Sequence, residues 1–325
     1  MWVFLSRINK NLVIAIPLAM LAGFLWGYFL PSGNLKSLIV PMTFIMIYPM
    51  MTTLKIKNIL QFNDIKTQII TQAVNFAVLP FVALLIGYLF FKEQPYYALG
   101  LFLASLLPTS GMTISWTGFA KGNLEAAVKM TVIGLTIGSL ATPFYLEVFM
   151  GESIQFNMAD IIKQIIYIVF IPMFIGQLTR MYFLRKMTEK EFKQNLAPRF
   201  SSFSTLGVLG VVFIAIALKA HSLVQHPLAV LYICLPVIVI YLFNYSLSTI
   251  IGKVFLPRGD AIALVYGTVM RNLSISLAIA LNSFGEYGPD VALVIAVAFI
   301  FQVQSAAWYV RFTDKFFGSP QEKTV

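Results

Sequence analysis

Long apolar runs separated by short polar segments dominate this chain of 325 residues. A helix needs about 20 consecutive apolar residues to cross roughly 30 Å of hydrocarbon, and the runs have about that length. Strands of an outer-membrane barrel would instead show short segments of alternating polarity, which the sequence lacks. The pattern predicts an all-α integral membrane protein with ten spans, at 11–30, 37–54, 67–91, 97–119, 124–149, 161–179, 203–220, 228–256, 261–283 and 289–310.

The composition agrees with a membrane protein and argues against other classes. Hydrophobic residues make up 59% of the chain and charged residues only 11%, whereas about a quarter of a soluble domain is charged. The net charge of +10 does not indicate nucleic acid as a partner, because the basic residues lie in short loops between apolar runs. The sequence has no metal-ligand cluster, phosphate loop or nucleophile elbow, so we expect no enzymatic activity and no cofactor.

The basic residues lie unequally on the two sides of the predicted spans. If the N-terminus is cytoplasmic, seventeen of them lie in cytoplasmic segments and four, Lys36, Lys92, Lys163 and Lys219, on the opposite side. Cytoplasmic loops of membrane proteins carry the excess of lysine and arginine. We therefore expect a multi-pass protein of the cell membrane with both termini in the cytoplasm, on the same side as the charged loop at 180–202.

The loop at 180–202 divides the predicted spans five and five, which suggests repeats at 1–155 and 156–325. Because five is odd, the second repeat would enter the membrane from the opposite side, giving inverted topology. The fourth span of each half is interrupted by polar residues, around Pro108 in the first and Arg271 in the second. Such matched interruptions are typical of broken helices at a transporter binding site. Alternatively, proline is simply tolerated in these spans and the hydroxyls bond to their own helix.

Three segments carry a family resemblance. Residues 107–112 read Leu-Pro-Thr-Ser-Gly-Met and precede Trp116 and Lys-Gly-Asn at 121–123, residues 45–49 read Ile-Met-Ile-Tyr-Pro, and residues 277–280 read Leu-Ala-Ile-Ala. These segments resemble the arsenite-permease branch of the superfamily that also holds the bile acid:sodium symporters. The resemblance implies ten helices in two inverted repeats. It also implies that broken helices 4 and 9 cross beside the substrate site and that a core domain moves against a panel domain.

The chain departs from both branches at residues that carry their chemistry. The resembled permeases have a cysteine where this chain has Thr109 and a glutamate where it has Ser276, and a hydroxyl does not replace a thiolate for a soft metalloid. In the resembled sodium symporters, oxygen ligands to sodium match Asn75, Ala127, Thr131 and again Ser276. Because several ligands and the carboxylate are missing, the resemblance implies no standard sodium site.

Two cations fall inside predicted spans. Placing the charged Lys129 side chain at mid-bilayer would cost about 2.5–3.5 kcal/mol of insertion free energy, so we expect it to have a function in ion coupling. Alternatively, its side chain reaches the membrane interface and pairs with Glu125. Arg271 could bind a carboxylate or oxyanion bidentately, or it could hold the carbonyls of the broken helix. Asn244 is expected to bond between helices and Gln302 to face the cavity. The predicted substrate-binding residues are Thr109, Ser110, Thr113, Arg271, Asn272, Ser274 and Ser276, and the predicted coupling-ion region holds Asn75, Lys129, Thr131 and Glu125.

The sequence therefore predicts a secondary transporter that works by alternating access. Two intramembrane cations and the N-terminal dipoles of the broken helices favour a small organic anion or oxyanion as the solute. Transport is expected to be independent of sodium, with the proton as a candidate coupling ion. Two alternatives stay open: an arsenite or metalloid efflux permease, and a membrane receptor or scaffold that does not transport.

Overall fold

A computed structural model describes residues 11–53, 64–151, 154, 157–225 and 228–319. The described residues form helices and no β-strand. Within these residues, seven helices are long and apolar enough to cross a membrane, and three shorter apolar helices accompany them. An all-helical integral membrane protein is therefore confirmed, while the count of ten spans and the inverted repeats stay predictions. Arg7, Lys10, Lys55, Lys57 and Lys323, which contribute to the expected orientation, and the repeat boundary at residue 155 lie outside the described residues.

The helices follow the predicted apolar runs closely. They are α1 (Leu12–Phe29), α2 (Ile39–Thr53), α3 (Ile65–Phe90), α4 (Pro95–Leu106), α5 (Gly111–Phe119), α6 (Leu124–Met150), α7 (Ala159–Leu184), α8 (Ala197–Gln225), α9 (Leu228–Phe255), α10 (Arg258–Val269), α11 (Leu273–Ser283) and α12 (Gly288–Val310). Each predicted span corresponds to one helix or, for the fourth and ninth spans, to a pair of shorter helices.

The two interrupted spans are broken where the sequence predicts. Residues 107–110 separate α4 from α5, and residues 270–272 separate α10 from α11. The first break contains Pro108, which cannot donate to a helix, and Thr109, whose positive φ of 63° leaves the right-handed helical region. Pro108 pairs with Arg271 in an isolated antiparallel bridge, and the Asn272 amide donates to the Leu107 carbonyl at 2.8 Å. The two breaks therefore meet backbone to backbone.

The helices pack as two groups. In one group, α8 packs along both α1 and α2, and α7 packs against α2. In the other group, α3 packs against α4, α9 against α10, and α12 against α4, α9 and α11. Lys219 on α8 and Asp290 on α12 form an ion pair of 2.6 Å between the two groups. Both broken spans belong to the second group.

The prediction of a loop at 180–202 is wrong. Helix α7 continues to Leu184, and after four intervening residues helical structure begins again at Glu189. Thr188 and Glu191 form a capping box that starts the new helix, since each side chain bonds to the other residue's backbone amide. Arg180, predicted as a loop residue, is buried at 6% exposure and donates to the Thr53 carbonyl. The charges that suggested a loop therefore lie mostly on helical residues between Arg180 and Arg199, with a connection of only four residues.

Candidate functional site

The first break is built from side chains that satisfy exposed backbone groups. Ser110 accepts from the Met112 amide and caps α5, while the Thr113 hydroxyl accepts from the Ser110 amide. The Thr109 hydroxyl lies 3.3 and 3.2 Å from the carbonyl oxygens of Met130 and Thr131 on α6. These three of the seven predicted substrate-binding residues therefore hold the geometry of the first break.

Two glycines of α6 allow the first break to lie against this helix. A Cβ at Gly134 would lie 2.9 Å from the Thr109 hydroxyl, and one at Gly138 would lie 2.8 Å from the Pro108 ring. Real Cβ atoms essentially never approach so closely. A larger residue at either position would push the break away from α6.

The second break is held by amide side chains. The Asn272 side chain accepts from the Ile275 amide at 3.3 Å and caps α11. Gln302 on α12 accepts from the Arg271 amide at 2.8 Å and donates to the Arg271 carbonyl at 3.1 Å. Ser276 donates toward the Leu103 carbonyl on α4 at 3.2 Å. The unwound backbone of Arg271 is therefore paired on both sides within the protein.

The Arg271 side chain is buried at the meeting point of the two breaks, with 4% exposure. Its Nη1 donates to Asn75 Oδ1 at 2.5 Å and to the Thr268 carbonyl at 2.9 Å, and its Nη2 donates to the Ser105 carbonyl. Ser105 lies in the last turn of α4 and Thr268 in the last turn of α10. The guanidinium thus caps the C-terminal ends of both broken helices, as one of the two sequence hypotheses expects. All three acceptors are neutral oxygens.

Asn75 connects this cluster to α3. It lies in a π-helical turn at Val74–Val78 inside α3 and has no exposed surface. Its Nδ2 donates to the Gly267 carbonyl at 3.0 Å, while its Oδ1 accepts from Arg271. Asn244 on α9 donates to the Thr268 carbonyl at 2.9 Å, an interhelical bond of the expected kind. Side chains of α3 and α9 therefore converge with Arg271 on the end of α10.

A small cavity adjoins Arg271. Its volume is about 30 Å³, and it is lined by Leu79, Leu101, Ala104, Ser105, Ile240, Tyr241, Asn244, Arg271 and Ala298. This volume holds about two water molecules. The guanidinium therefore borders a space that can hold water.

Lys129 belongs to a second polar cluster. Its ammonium lies 2.7 Å from Asp64 and 3.2 Å from Glu125, and its side chain is 2% exposed. Asp64 precedes the first turn of α3 and also accepts from Gln68 at 2.8 Å. The predicted pairing with Glu125 is confirmed. The ammonium does not reach bulk water, because Asp64 holds it inside the protein.

The predicted coupling-ion region is divided between the two clusters. Asn75 bonds to Arg271, whereas Glu125 bonds to Lys129. The Thr131 hydroxyl donates to the Ala127 carbonyl of its own helix at 2.8 Å, and Ser274 is buried in the first turn of α11. Sequence reasoning missed Asp64, which precedes the predicted span and resembles a loop residue. Its spacing of four residues from Gln68, and again to Gln72, is the signal that could have revealed it.

The sequence comparisons place this arrangement in a family. A model of the Sodium Bile acid symporter family matches residues 40–226, which is more than half of the chain. The chain belongs to the sodium bile acid symporter family. It is therefore a multi-pass membrane transporter by family, and the resemblance inferred from the broken spans is confirmed.

Relatives of this family member come from both branches that the sequence resembles. The arsenical-resistance protein Acr3 of Corynebacterium glutamicum is 21% identical over 329 residues, covering 91% of this chain and 89% of that protein. The uncharacterized protein YbaS of Bacillus subtilis is 26% identical over 231 residues, covering 71% and 73%. Sodium/bile acid cotransporter 7-B of Xenopus laevis is 24% identical over 189 residues, covering 55% and 52%.

Proposed function

We propose that this transporter is a secondary active carrier of a small organic anion or oxyanion, working by alternating access without sodium. One observation carries the proposal: Arg271 is a buried cation whose three hydrogen-bond acceptors are neutral. A charge in that position is costly unless an opposite charge offsets it. A bound anion would supply that opposite charge.

The contacts of the guanidinium support independence from sodium. In transporters with broken helices, the C-terminal ends and unwound carbonyls of the half-helices are the groups that coordinate coupling cations. Here the carbonyls of Ser105 and Thr268, at the ends of α4 and α10, accept hydrogen bonds from Arg271. Asn75, which matches a sodium ligand of the resembled symporters, is bonded to the same guanidinium. Arg271 therefore acts as a permanently attached cation in place of sodium.

The anion is proposed to bind at the opposite ends of the same breaks. Helices α5 and α11 both begin at the crossing, and a helix N-terminus carries partial positive charge that favours an anion. The Nε–H of Arg271 is buried and has no acceptor among the described residues, so one donor remains for a solute. We propose that this solute contacts Thr109, Ser110, Thr113, Arg271, Asn272, Ser274 and Ser276.

Flux through proteoliposomes tests the proposal. The purified protein is reconstituted, and uptake of labelled lactate, pyruvate and sulfate is measured with external sodium or with choline in its place. We expect uptake of at least one anion at equal rates in the two media. Stimulation by sodium would contradict the role of Arg271, and the absence of flux for all small anions would favour a receptor or scaffold.

Arsenite export is the second candidate function, and the similarity to Acr3 over 91% of the chain favours it. Against it, the position of the resembled permeases' cysteine is Thr109, whose hydroxyl lies against two carbonyls of α6. We expect the native chain to confer no arsenite resistance on a sensitive host. Thr109→Cys alone should not confer it either, because one thiolate supplies one soft ligand and Ser276 still replaces the carboxylate. Robust resistance from the native chain would overturn the preference for anions.

The proposed orientation places both termini and residues 180–202 in the cytoplasm. A single cysteine at Lys190, which is exposed, tests this in a Cys234→Ala background. A membrane-impermeant maleimide added to intact cells should leave this cysteine unlabelled until the cells are broken. Labelling of intact cells from outside would reverse the orientation.

A further inference from the structure

One face of α3 joins the two polar clusters. Asp64, Gln68, Gln72 and Asn75 follow one another at spacings of four, four and three residues, which places them on one side of a helix. The distance from Asp64 to Asn75 along the axis is roughly 16 Å at 1.5 Å per residue. Asp64 bonds to Lys129 at one end, and Asn75 bonds to Arg271 at the other. Polar side chains therefore extend from the ion cluster to the crossing of the breaks.

The middle of this face carries hydrogen-bonding groups that the protein leaves unpaired. Gln68 uses its Nε2 to bond Asp64 and the Ala126 carbonyl of α6, but its buried Oε1 has no partner in the part of the chain that the structure describes. Both Oε1 and Nε2 of Gln72 are buried without a partner among the described residues. Gln68 is 9% exposed, so bulk solvent does not satisfy its amide. Unpaired buried amides cost free energy, and native structures almost always satisfy them with protein groups or ordered water.

We infer that water molecules bind beside Gln68 and Gln72, where α3 faces α6, and complete a hydrogen-bonded chain from Lys129 to Arg271. Two amide oxygens and one amide nitrogen offer both acceptors and donors, which suits water and excludes an apolar ligand. Glu125, the outermost member of the ion cluster, is 47% exposed, so the chain of water can begin at the surface there.

The role of this hydrated path rests on the proposed function. A secondary carrier that does not use sodium needs another coupling ion, and a chain of water and amides gives protons a route to the crossing. The path itself is a property of the folded protein, and its detection does not depend on transport.

Silver ion, which is small and reacts with thiolates in water, probes the path. Three single-cysteine variants are made in the Cys234→Ala background: Gln72→Cys on the proposed path, Ile69→Cys on the exposed outer face of α3, and Ala83→Cys in the apolar core. Each is reconstituted in nanodiscs and exposed to Ag⁺, and the remaining free thiol is titrated after denaturation. We expect Gln72→Cys to react about tenfold faster than both controls, because only a hydrated thiol ionises readily.

A rate at Gln72→Cys equal to those of Ile69→Cys and Ala83→Cys would show a dry site and overturn the inference. If Gln72→Cys does not fold, Gln68→Cys is tested in the same way, and its rate is judged against the same two controls. Failure of the anion flux experiment with rapid silver labelling would remove the proposed function but leave the hydrated path. Slow labelling together with sodium-independent flux would remove the hydrated path but leave the proposed function.

Discussion

The two buried cations of this transporter are compensated in different ways. Lys129 lies between two carboxylates, Asp64 at 2.7 Å and Glu125 at 3.2 Å. Arg271 is bonded to neutral oxygens of the ends of two broken helices and of Asn75. The charge of Lys129 is therefore neutralised within the protein and stabilises the packing of α3 on α6. The charge of Arg271 is not neutralised by its hydrogen-bond partners, which makes it the better candidate for binding an anion.

The largest effect should come from removing the charge of Arg271. In Arg271→Gln the carbonyls of Ser105 and Thr268 and the Asn75 oxygen lose their cation, so these oxygens become free to coordinate sodium. We expect sodium-independent anion uptake to fall by more than about tenfold, and the uptake that remains to be stimulated by sodium. Uptake in proteoliposomes with sodium or choline measures both changes.

Arg271→Lys is the matched control, because it keeps the positive charge and loses the planar donor geometry. Its uptake should be weakened but should stay independent of sodium. Native rates in Arg271→Gln without sodium would show that the charge has no role in transport, and the contrast with Lys129 would then lose its functional meaning.

The Lys129 cluster should behave as a structural ion pair. Asp64→Asn removes the buried carboxylate beside the ammonium and keeps the half-exposed Glu125, and breaking a buried pair by removing one partner costs about 3 kcal/mol or more. In the double variant Asp64→Asn/Lys129→Met both charges are gone, so most of that loss should be recovered. Unfolding in detergent, followed by circular dichroism, measures both. If the double variant were as unstable as Asp64→Asn, charge compensation would not explain the cluster.

Whether the sequence predicts a break or a contact depends on how far apart the residues involved lie along the chain. The breaks at 107–110 and 270–272 are predictable because Pro108, Arg271 and Asn272 interrupt apolar runs locally. The pairing of Lys129 with Glu125 is also local, at four residues. The partner Asp64 is 65 residues from Lys129, and Asn75 is 196 residues from Arg271. Such partners are set by helix packing, which neither periodicity nor a single sequence reveals.

The same limit explains the wrong loop at 180–202. Charged residues there suggested irregular structure, but helix formation tolerates charge on an exposed face and is started by the Thr188–Glu191 capping box. Gln302 illustrates the same limit. A polar residue in the last span is a candidate for lining the cavity, but the Gln302 amide bonds to both backbone groups of Arg271, a role that depends on the register between α11 and α12.

Removing the two hydrogen bonds between the Gln302 side chain and the Arg271 backbone should lower stability by an intermediate amount. Gln302→Leu keeps the side-chain volume but leaves the amide and carbonyl of Arg271 unpaired in a buried site, at a cost of about 1–3 kcal/mol. By comparison, Lys129 lies within the continuous helix α6, where backbone amides and carbonyls bond to one another, so its backbone needs no side-chain partner. Gln304→Leu, two residues further along α12 and only half-buried, is the control and should change stability much less. Equal losses of stability from both variants would mean that Gln302 contributes packing and not these hydrogen bonds.

The smallest effect should come from the outer carboxylate of the Lys129 cluster. Glu125 is 47% exposed and bonds to Lys129 across one helical turn, and exposed pairs of this kind contribute only about 0.5 kcal/mol. Glu125→Gln should therefore lower the free energy of unfolding far less than Asp64→Asn, although both remove one carboxylate from the same ammonium. The loss should shrink further in high salt, because salt screens an exposed charge and reaches the buried Asp64 much less. Unfolding of both variants at low and high ionic strength provides the comparison. A loss for Glu125→Gln as large as that for Asp64→Asn would mean that the two carboxylates compensate Lys129 equally, and that burial does not separate them.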